Sequence, residues 1–224
     1  MSVESYFQSR AERFEALYAE PAWRRWLTRR LRSGLYERAA LTLAELSELK
    51  DFSVLDVGCG SGRNTLLFVE AGARRVLGVD LAENMLAMAR ARAGHDLRAE
   101  FMCADFMQYE GREPFDAVVA LGFFDYVAEP LPVLKKMAAL SRNKVIASFP
   151  GNFFPRAPLR RLRYRLQGCP VYFYEPATLE KIFDRAGLRQ RRLLPCGTSG
   201  YLVVAEAAKR AAEELAEEKV ATTS

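Results

Sequence analysis

Residues 54–65 read VLDVGCGSGRNT, a short apolar run that ends in an acid and continues into three glycines at alternate positions. Glycine weakens the interior of a strand or helix, but it reaches positive φ and lets a bound molecule approach the backbone. The stretch therefore predicts a strand, a tight turn and the start of a helix, with a ligand held against the turn. Asp56 lies two residues before the first glycine, where a carboxylate repels phosphate and suits a cation such as an amino group.

Outward from this stretch, apolar strand-like runs alternate with helical runs. The predicted strands are residues 53–57, 76–79, 98–103, 115–121, 144–149, 188–194 and 201–205. The predicted helices between them are residues 64–71, 84–93, 131–140 and 177–186. Such alternation is typical of an α/β fold with a doubly wound, mostly parallel sheet, which the last two strands close as an antiparallel pair.

The length of 224 residues and the apolar share of 50% fit a single sizeable domain. Helical periodicity predicts an N-terminal helical cap over residues 1–50, ahead of a core domain over residues 51–206. Within that domain, residues 150–176 form a long insertion rich in proline, arginine and aromatics, and insertions at this edge of a sheet often cover the ligand as a lid. The polar composition of residues 207–224 predicts a tail that is helical or disordered.

Composition and cysteine spacing exclude several classes of protein. The balance of 33 basic and 28 acidic residues gives a net charge of +5, which permits an anionic partner, but no nucleic-acid-binding motif accompanies it. The four cysteines lie far apart and no Cys/His cluster has zinc-binding spacing, so no metal is predicted. The polar first residues lack the apolar core of a secretory signal, and no window is apolar enough to span a membrane. We therefore expect a cytoplasmic protein.

Three motifs occur in order: VLDVGCGSG, then GVDLAENMLAMAR, then CADFMQYE. Together they resemble the class I S-adenosylmethionine-dependent methyltransferases, over roughly residues 52–149. The resemblance implies a Rossmann-like seven-stranded sheet, S-adenosylmethionine (SAM) as the cofactor, and methyl transfer as the activity.

Carried over onto this chain, the resemblance implies a role for each motif. The glycine turn would approach the methionine half of the cofactor, and Asp56 would hold its ammonium directly or through water. Asp80 would accept both ribose hydroxyls, and Asp105 the adenine amino group. The cofactor residues implied in this way are Asp56, Gly58, Cys59, Gly60, Gly62, Asp80, Leu81, Met85, Asp105, Phe106 and Leu121.

Two segments are candidates for the acceptor side. GFFDYVAEP, residues 122–130, follows the fourth strand at the edge where ligands bind in such sheets. Asp125 and Tyr126 there are candidate catalytic residues, although Asp125 could equally cap the helix that starts near Pro130 and Tyr126 could pack. FFPRAPLRRLRYR, residues 153–165, offers guanidinium groups that suit carboxylate or phosphate, or that form a solvated helix face. Its candidate substrate-binding residues are Arg156, Arg160 and Arg161.

We therefore expect methyl transfer to a small, anionic acceptor, a small molecule or lipid headgroup, at oxygen, with no nucleic-acid partner. The stretches RFEALY and WRRWLTRRLRSGLYERA resemble the magnesium-protoporphyrin O-methyltransferases, which esterify a propionate. The histidine of their DVLIHY segment falls on Tyr126 here. The alternatives are an RNA-directed or nitrogen-directed methyltransferase, or a non-catalytic SAM-binding or S-adenosylhomocysteine-binding protein. An NAD-dependent oxidoreductase is opposed by the glycine spacing and by Asp56.

Overall fold

The computed structural model describes residues 33–111, 113–153, 156–166, 169–197 and 199–207. These residues form one seven-stranded sheet with helices, in the strand order β3-β2-β1-β4-β5-β7-β6. The predicted α/β class, with a doubly wound and mostly parallel sheet, is confirmed. The expected helical cap lies inside the described residues only from Ser33 onward, and the expected tail over residues 207–224 lies outside them except for its first residue.

The described helices and strands lie close to the predicted ranges. The strands are β1 Ser53–Val57, β2 Arg75–Asp80, β3 Ala99–Cys103, β4 Phe115–Ala120, β5 Ser141–Pro150, β6 Arg189–Cys196 and β7 Gly200–Glu206. The helices are α1 Ser33–Leu46, α2 Arg63–Glu70, α3 Glu83–Ala93, α4 Pro130–Ala139, α5 Arg156–Leu166 and α6 Pro176–Arg185. Two short 3₁₀ helices span Phe106–Gln108 and Phe124–Tyr126.

Strand β1 lies at the middle of the parallel part of the sheet. It pairs in parallel with β2 on one side and β4 on the other, while β7 pairs antiparallel with both β5 and β6. All five residues of β1 are buried, because helices cover both faces of the sheet. Leu55 and Val57 pack into one core, and Val54 packs into a second core on the opposite face. The carboxyl ends of β1 to β5 therefore meet along one edge on a rigid base.

Two helices that do not belong to the alternation of strands and helices lie beside the edge of the sheet where the parallel strands end. Helix α5 lies in the insertion predicted over residues 150–176, and it follows directly on β5. Helix α1 precedes β1 and contacts β6, β7 and α2. Within the described part of the chain, no helix combines the length and apolar character needed to cross a membrane.

Candidate active site

A cavity of about 520 Å³ opens at the carboxyl ends of the parallel strands. Its size is that of a small-molecule site. Most of the predicted site residues line it, namely Gly58, Cys59, Gly60, Asp80, Leu81, Met85, Asp105, Phe106, Leu121, Asp125, Tyr126 and Arg160. The structure thus brings both the expected cofactor residues and the expected acceptor residues to one chamber.

The glycine turn after β1 explains the first motif. Gly58, Gly60 and Gly62 have φ angles of 70°, 53° and 73°, in the left-handed region that favours glycine. A Cβ on Gly60 would lie 3.3 Å from the Met85 side chain, in the space beside the cavity wall. The turn is therefore a cradle that only a residue without a side chain leaves open.

Asp80, at the end of β2, holds this cradle in place. One carboxylate oxygen accepts the Gly60 N–H at 2.8 Å, and the other accepts the Ala82 N–H at 2.9 Å. Burial raises the pKa of Asp80, and the backbone hydrogen bonds oppose that shift. A carboxylate offers about four acceptor positions, so Asp80 can still accept from a ligand. Asp80 can thus fix the turn and accept hydroxyl hydrogens at the same time, which fits the ribose role that the resemblance implies.

Asp56 lies apart from the cavity wall. Its side chain is buried at 1% exposure, and the Thr65 hydroxyl donates to it at 2.6 Å. Burial raises its pKa to about 7, with Asp80 adding to the shift and the Thr65 hydrogen bond opposing it. Asp56 does not line the cavity, so its expected hold on the cofactor ammonium, directly or through water, stays a prediction. Asp56 ties the end of β1 to the first turn of α2.

The residues after β2 and β3 surround the expected adenine position. Asp105 accepts the Met107 N–H at 2.9 Å and so caps the 3₁₀ helix Phe106–Gln108, while it also lines the cavity. Leu81 is 41% exposed, as expected for an apolar side chain that faces an open chamber. Capping and ligand contact are compatible here, because Asp105 has a second carboxylate oxygen.

On the acceptor side, Asp125 forms an ion pair with Arg160 of α5. Asp125 is only 8% exposed, so its charge needs this partner. The alternative in which Asp125 caps the next helix is wrong, since Glu129 occupies the N-cap of α4. The pair connects the insertion to the segment that follows β4.

Tyr126 and Tyr164 lie side by side in the same wall, with ring centroids 6.2 Å apart. Burial raises the pKa of Tyr126 far above its ordinary value, and Tyr164 and Asp125 add to the shift. The Tyr126 hydroxyl therefore stays protonated and can donate a hydrogen bond, but it does not serve as a general base at neutral pH.

The three candidate arginines have different positions. Arg160 lines the cavity, with its guanidinium 5.5 Å from the Tyr164 ring centroid. Arg161 is exposed outside the cavity and lies 5.1 Å from the Phe173 ring centroid. Arg156 begins α5, and its side chain is outside the described set. No group of three metal-binding side chains occurs among the residues that the structure describes.

Sequence reasoning missed several residues of the cavity wall, including Arg38, Ser148, Tyr164 and Ser199. Arg38 comes from α1, within the quoted stretch WRRWLTRRLRSGLYERA, and Ser148 comes from β5, but the sequence analysis gave neither residue a role. The sequence did contain a signal for Tyr164, because this residue lies on the same helix as Arg160, one turn further on, and therefore on the same face.

The fold is that of the class I SAM-dependent methyltransferases, and solved structures with this fold hold SAM or S-adenosylhomocysteine. Residues 54–144 match the family model described as a methyltransferase domain. The open glycine cradle and the carboxylate of Asp80 fit SAM, the cofactor that the sequence resemblance implies.

Several curated relatives are named tRNA U34 carboxymethyltransferases. A tRNA U34 carboxymethyltransferase from Actinobacillus pleuropneumoniae is 35% identical over 100 residues, which cover 43% of this chain and 31% of the relative. The enzyme of the same name from Aliivibrio salmonicida is 33% identical over 147 residues, which cover 63% of this chain and 45% of the relative. The chain thus spans between about a third and a half of these relatives. They contradict the expectation of a small-molecule partner without nucleic acid, and that expectation is corrected.

Solved structures share the fold. Magnesium protoporphyrin IX methyltransferase from Synechocystis, with bound S-adenosylhomocysteine (SAH), superposes with a TM-score of 0.73 at 23% identity, covering 93% of this chain and 98% of that one. A Burkholderia thailandensis 1,6-didemethyltoxoflavin-N1-methyltransferase with bound SAH gives 0.65 at 22% identity, covering 92% and 87%. At this identity the likeness concerns the fold.

Proposed function

We propose that this protein is a SAM-dependent methyltransferase whose acceptor is a nucleotide of tRNA. The observation that carries the proposal is the group of curated relatives, which are named tRNA U34 carboxymethyltransferases and match at 33–35% identity. The RNA-directed alternative, rather than the small anionic acceptor, is therefore the one we adopt. A tRNA acceptor would place the protein in the cytoplasm, as the sequence predicts.

Charge and shape at the cavity mouth support an RNA acceptor. The net charge of +5 favours approach of a polyanion. Arg161 lies exposed on α5, one residue after the cavity-lining Arg160, where it could contact a phosphate. Enzymes that modify a base bring it out of its stack into a pocket with aromatic walls. Phe123, Tyr126 and Tyr164 provide such walls here.

The residues of the chain would bind, orient and exclude water. SAM, when bound, supplies a methyl group on an already activated sulfur, so positioning is the main task of the protein. Asp80 and the glycine turn would fix the cofactor, and the Asp125–Arg160 pair would hold α5 over the chamber. The Tyr126 hydroxyl, kept protonated by burial, would donate a hydrogen bond to an acceptor oxygen.

The direct test incubates the purified protein with methyl-tritiated SAM and total tRNA of a bacterial host. We expect acid-precipitable counts that ribonuclease removes. Label that appears only in small molecules, or no label although SAH binds, would contradict the proposal, and the second outcome would favour the non-catalytic cofactor-binding alternative.

A binding experiment tests whether Arg161, at the mouth of the cavity, contacts tRNA. We expect Arg161→Gln to weaken tRNA binding and to reduce the slope of log affinity against log salt by about one. SAH affinity should not change, because Arg161 does not line the cavity. Arg75→Gln is the matched control, since Arg75 is exposed and pairs with Glu100 away from the cavity.

A further inference from the structure

We propose that Arg38 binds the carboxylate of the methionine moiety of SAM. This inference rests on the SAM binding that the proposed function includes, and it holds for any acceptor. It gives helix α1, which lies outside the matched residues 54–144, a part in the cofactor site.

The position of Arg38 is fixed by its helix. Near the start of α1, a Cβ on Gly34 would lie 2.2 Å from the Ser199 hydroxyl, so the absence of a side chain allows close approach to the β6–β7 turn. Near its other end, Glu45 is buried and pairs with Lys144 at 3.2 Å and with Arg192. Between these two contacts, Arg38 lines the cavity.

The guanidinium of Arg38 lies over the ends of β4 and β5. Its Nη1 is 3.4 Å from the Ser148 hydroxyl oxygen, which also accepts the Gly122 N–H at 2.8 Å. A Cβ on Gly122 would lie 3.0 Å from Nη2 of Arg38. Because the Ser148 oxygen already accepts from Gly122 and Arg38, its own hydrogen is left to donate. Arg38 and Ser148 therefore present adjacent donors.

No carboxylate within the described part of the chain forms an ion pair with Arg38. The buried Asp125, on the same wall, is already paired with Arg160. A half-buried guanidinium beside a cavity, with donors and no anionic partner, suits a carboxylate ligand.

The order of strands places the cofactor carboxylate at this end. Asp105 follows β3 and Asp80 follows β2, so adenine and ribose lie on that side of the glycine turn. The sheet continues from β1 to β4 and β5 on the opposite side. β3 and β4 are three strand spacings apart, about 14 Å. A ligand extended along the edge with adenine at β3 thus brings its amino-acid end to Gly122 and Ser148.

The test compares two ligands that differ in the amino-acid tail. SAH carries the carboxylate, and 5′-methylthioadenosine keeps the nucleoside and sulfur without it. By calorimetry, we expect Arg38→Met to weaken SAH binding at least tenfold and to leave 5′-methylthioadenosine unchanged. Arg38→Lys should recover part of the loss. The control Arg75→Met should change neither affinity.

Several outcomes would overturn the inference. Equal weakening of both ligands would show a structural role, and no weakening of SAH would remove Arg38 from the cofactor site. Selective loss in Arg63→Met, with Arg38→Met unaffected, would assign the carboxylate to the other arginine beside the glycine turn. If Arg38→Met fails to fold, the affinities of the wild-type protein for SAH and for decarboxylated SAH still test the inference. Equal affinity for SAH and its decarboxylated analogue would mean that no residue reads the carboxylate.

Discussion

Arg160 donates a hydrogen bond to the carboxylate of Asp125, so that one ion pair joins helix α5 to the segment following β4. The two residues are 35 positions apart in the sequence, and both line the cavity. The charge of Arg160 thus neutralises the buried Asp125 on the acceptor side of the chamber. It also fixes the helix that the sequence predicts as part of a lid.

We expect Arg160→Gln to destabilise the protein, because it leaves the Asp125 carboxylate buried without its partner. Breaking a fully buried pair costs about 3–5 kcal/mol. The Arg160 side chain is 32% exposed, so we expect roughly 2–3 kcal/mol, measured by urea unfolding. The exposed pair of Arg75 and Glu100 is the control, and Arg75→Gln should cost less than about 1 kcal/mol. Equal losses in the two variants would contradict this prediction.

The buried carboxyl of Asp56 should make stability depend on pH. Burial raises its pKa to about 7 from 3.8, so the folded chain holds this proton more tightly than the unfolded chain does. The contribution of Asp56 to the free energy of unfolding is fully present below about pH 4 and falls as the pH rises to about 7, by up to about 1.4 kcal/mol per pH unit. Asp80, also raised in pKa and close by, acts in the same direction.

Asp56→Asn should remove most of this dependence, since an amide oxygen still accepts from Thr65 and does not titrate in this range. Urea unfolding at pH 5 and pH 8 measures the difference. We expect the wild-type protein to lose roughly 2 kcal/mol more than the variant between these values. Asp96→Asn, at an exposed carboxylate paired with Arg98, should keep the wild-type slope. An unchanged slope in Asp56→Asn would show that Asp56 is ionised throughout.

Gly60→Ala should weaken SAH binding for a steric reason that can be separated from backbone strain. Gly60 and Gly187 both have positive φ, 53° and 76°, but only a Cβ on Gly60 would lie near another group, at 3.3 Å from Met85. An L residue in this conformation costs about 1–2 kcal/mol. Both alanine variants should therefore lose similar stability, measured by thermal unfolding. Only Gly60→Ala should lose SAH affinity. If Gly60→Ala and Gly187→Ala bind SAH equally well, the glycine turn is not the surface that holds the cofactor.

Tyr126→Phe should lower the transfer rate without changing how it depends on pH. The hydroxyl is protonated over the whole working range because burial raises its pKa. Loss of one hydrogen bond to the acceptor should reduce kcat/KM roughly tenfold. Initial rates with tRNA between pH 6 and 9 provide the measurement. A rise of the rate with pH that disappears in the variant would instead identify Tyr126 as a proton acceptor.

The cofactor half of the site was predictable because its signals are local. The glycines need positive φ, and each acid follows its own strand by a fixed spacing, so a few residues suffice to recognise Asp80 or Gly60. The same local logic did not show that Asp56 is buried behind the cavity wall. Whether a carboxylate at the end of a strand faces a ligand or a helix depends on the packing of Thr65 against it.

The acceptor half was predictable only in part, because its contacts are tertiary. Asp125 and Arg160 were both candidates, but their pairing joins segments whose distance the sequence does not set. Arg38 lies on α1, which reaches the cavity through close approach of Gly34 to the distant β6–β7 turn. The stretch WRRWLTRRLRSGLYERA contains Arg38 but does not indicate this approach, and for that reason helix α1 was predicted only as a cap.

Phe123 lies against the glycine turn, since a Cβ on Gly58 would come within 2.6 Å of its ring, and Asp125 follows it by two residues. The surface that receives the cofactor and the anchor of α5 thus share one short piece of backbone. Steady-state kinetics should accordingly show a compulsory order of addition, with SAM first and tRNA second. Product inhibition by SAH should be competitive toward SAM and noncompetitive toward the RNA.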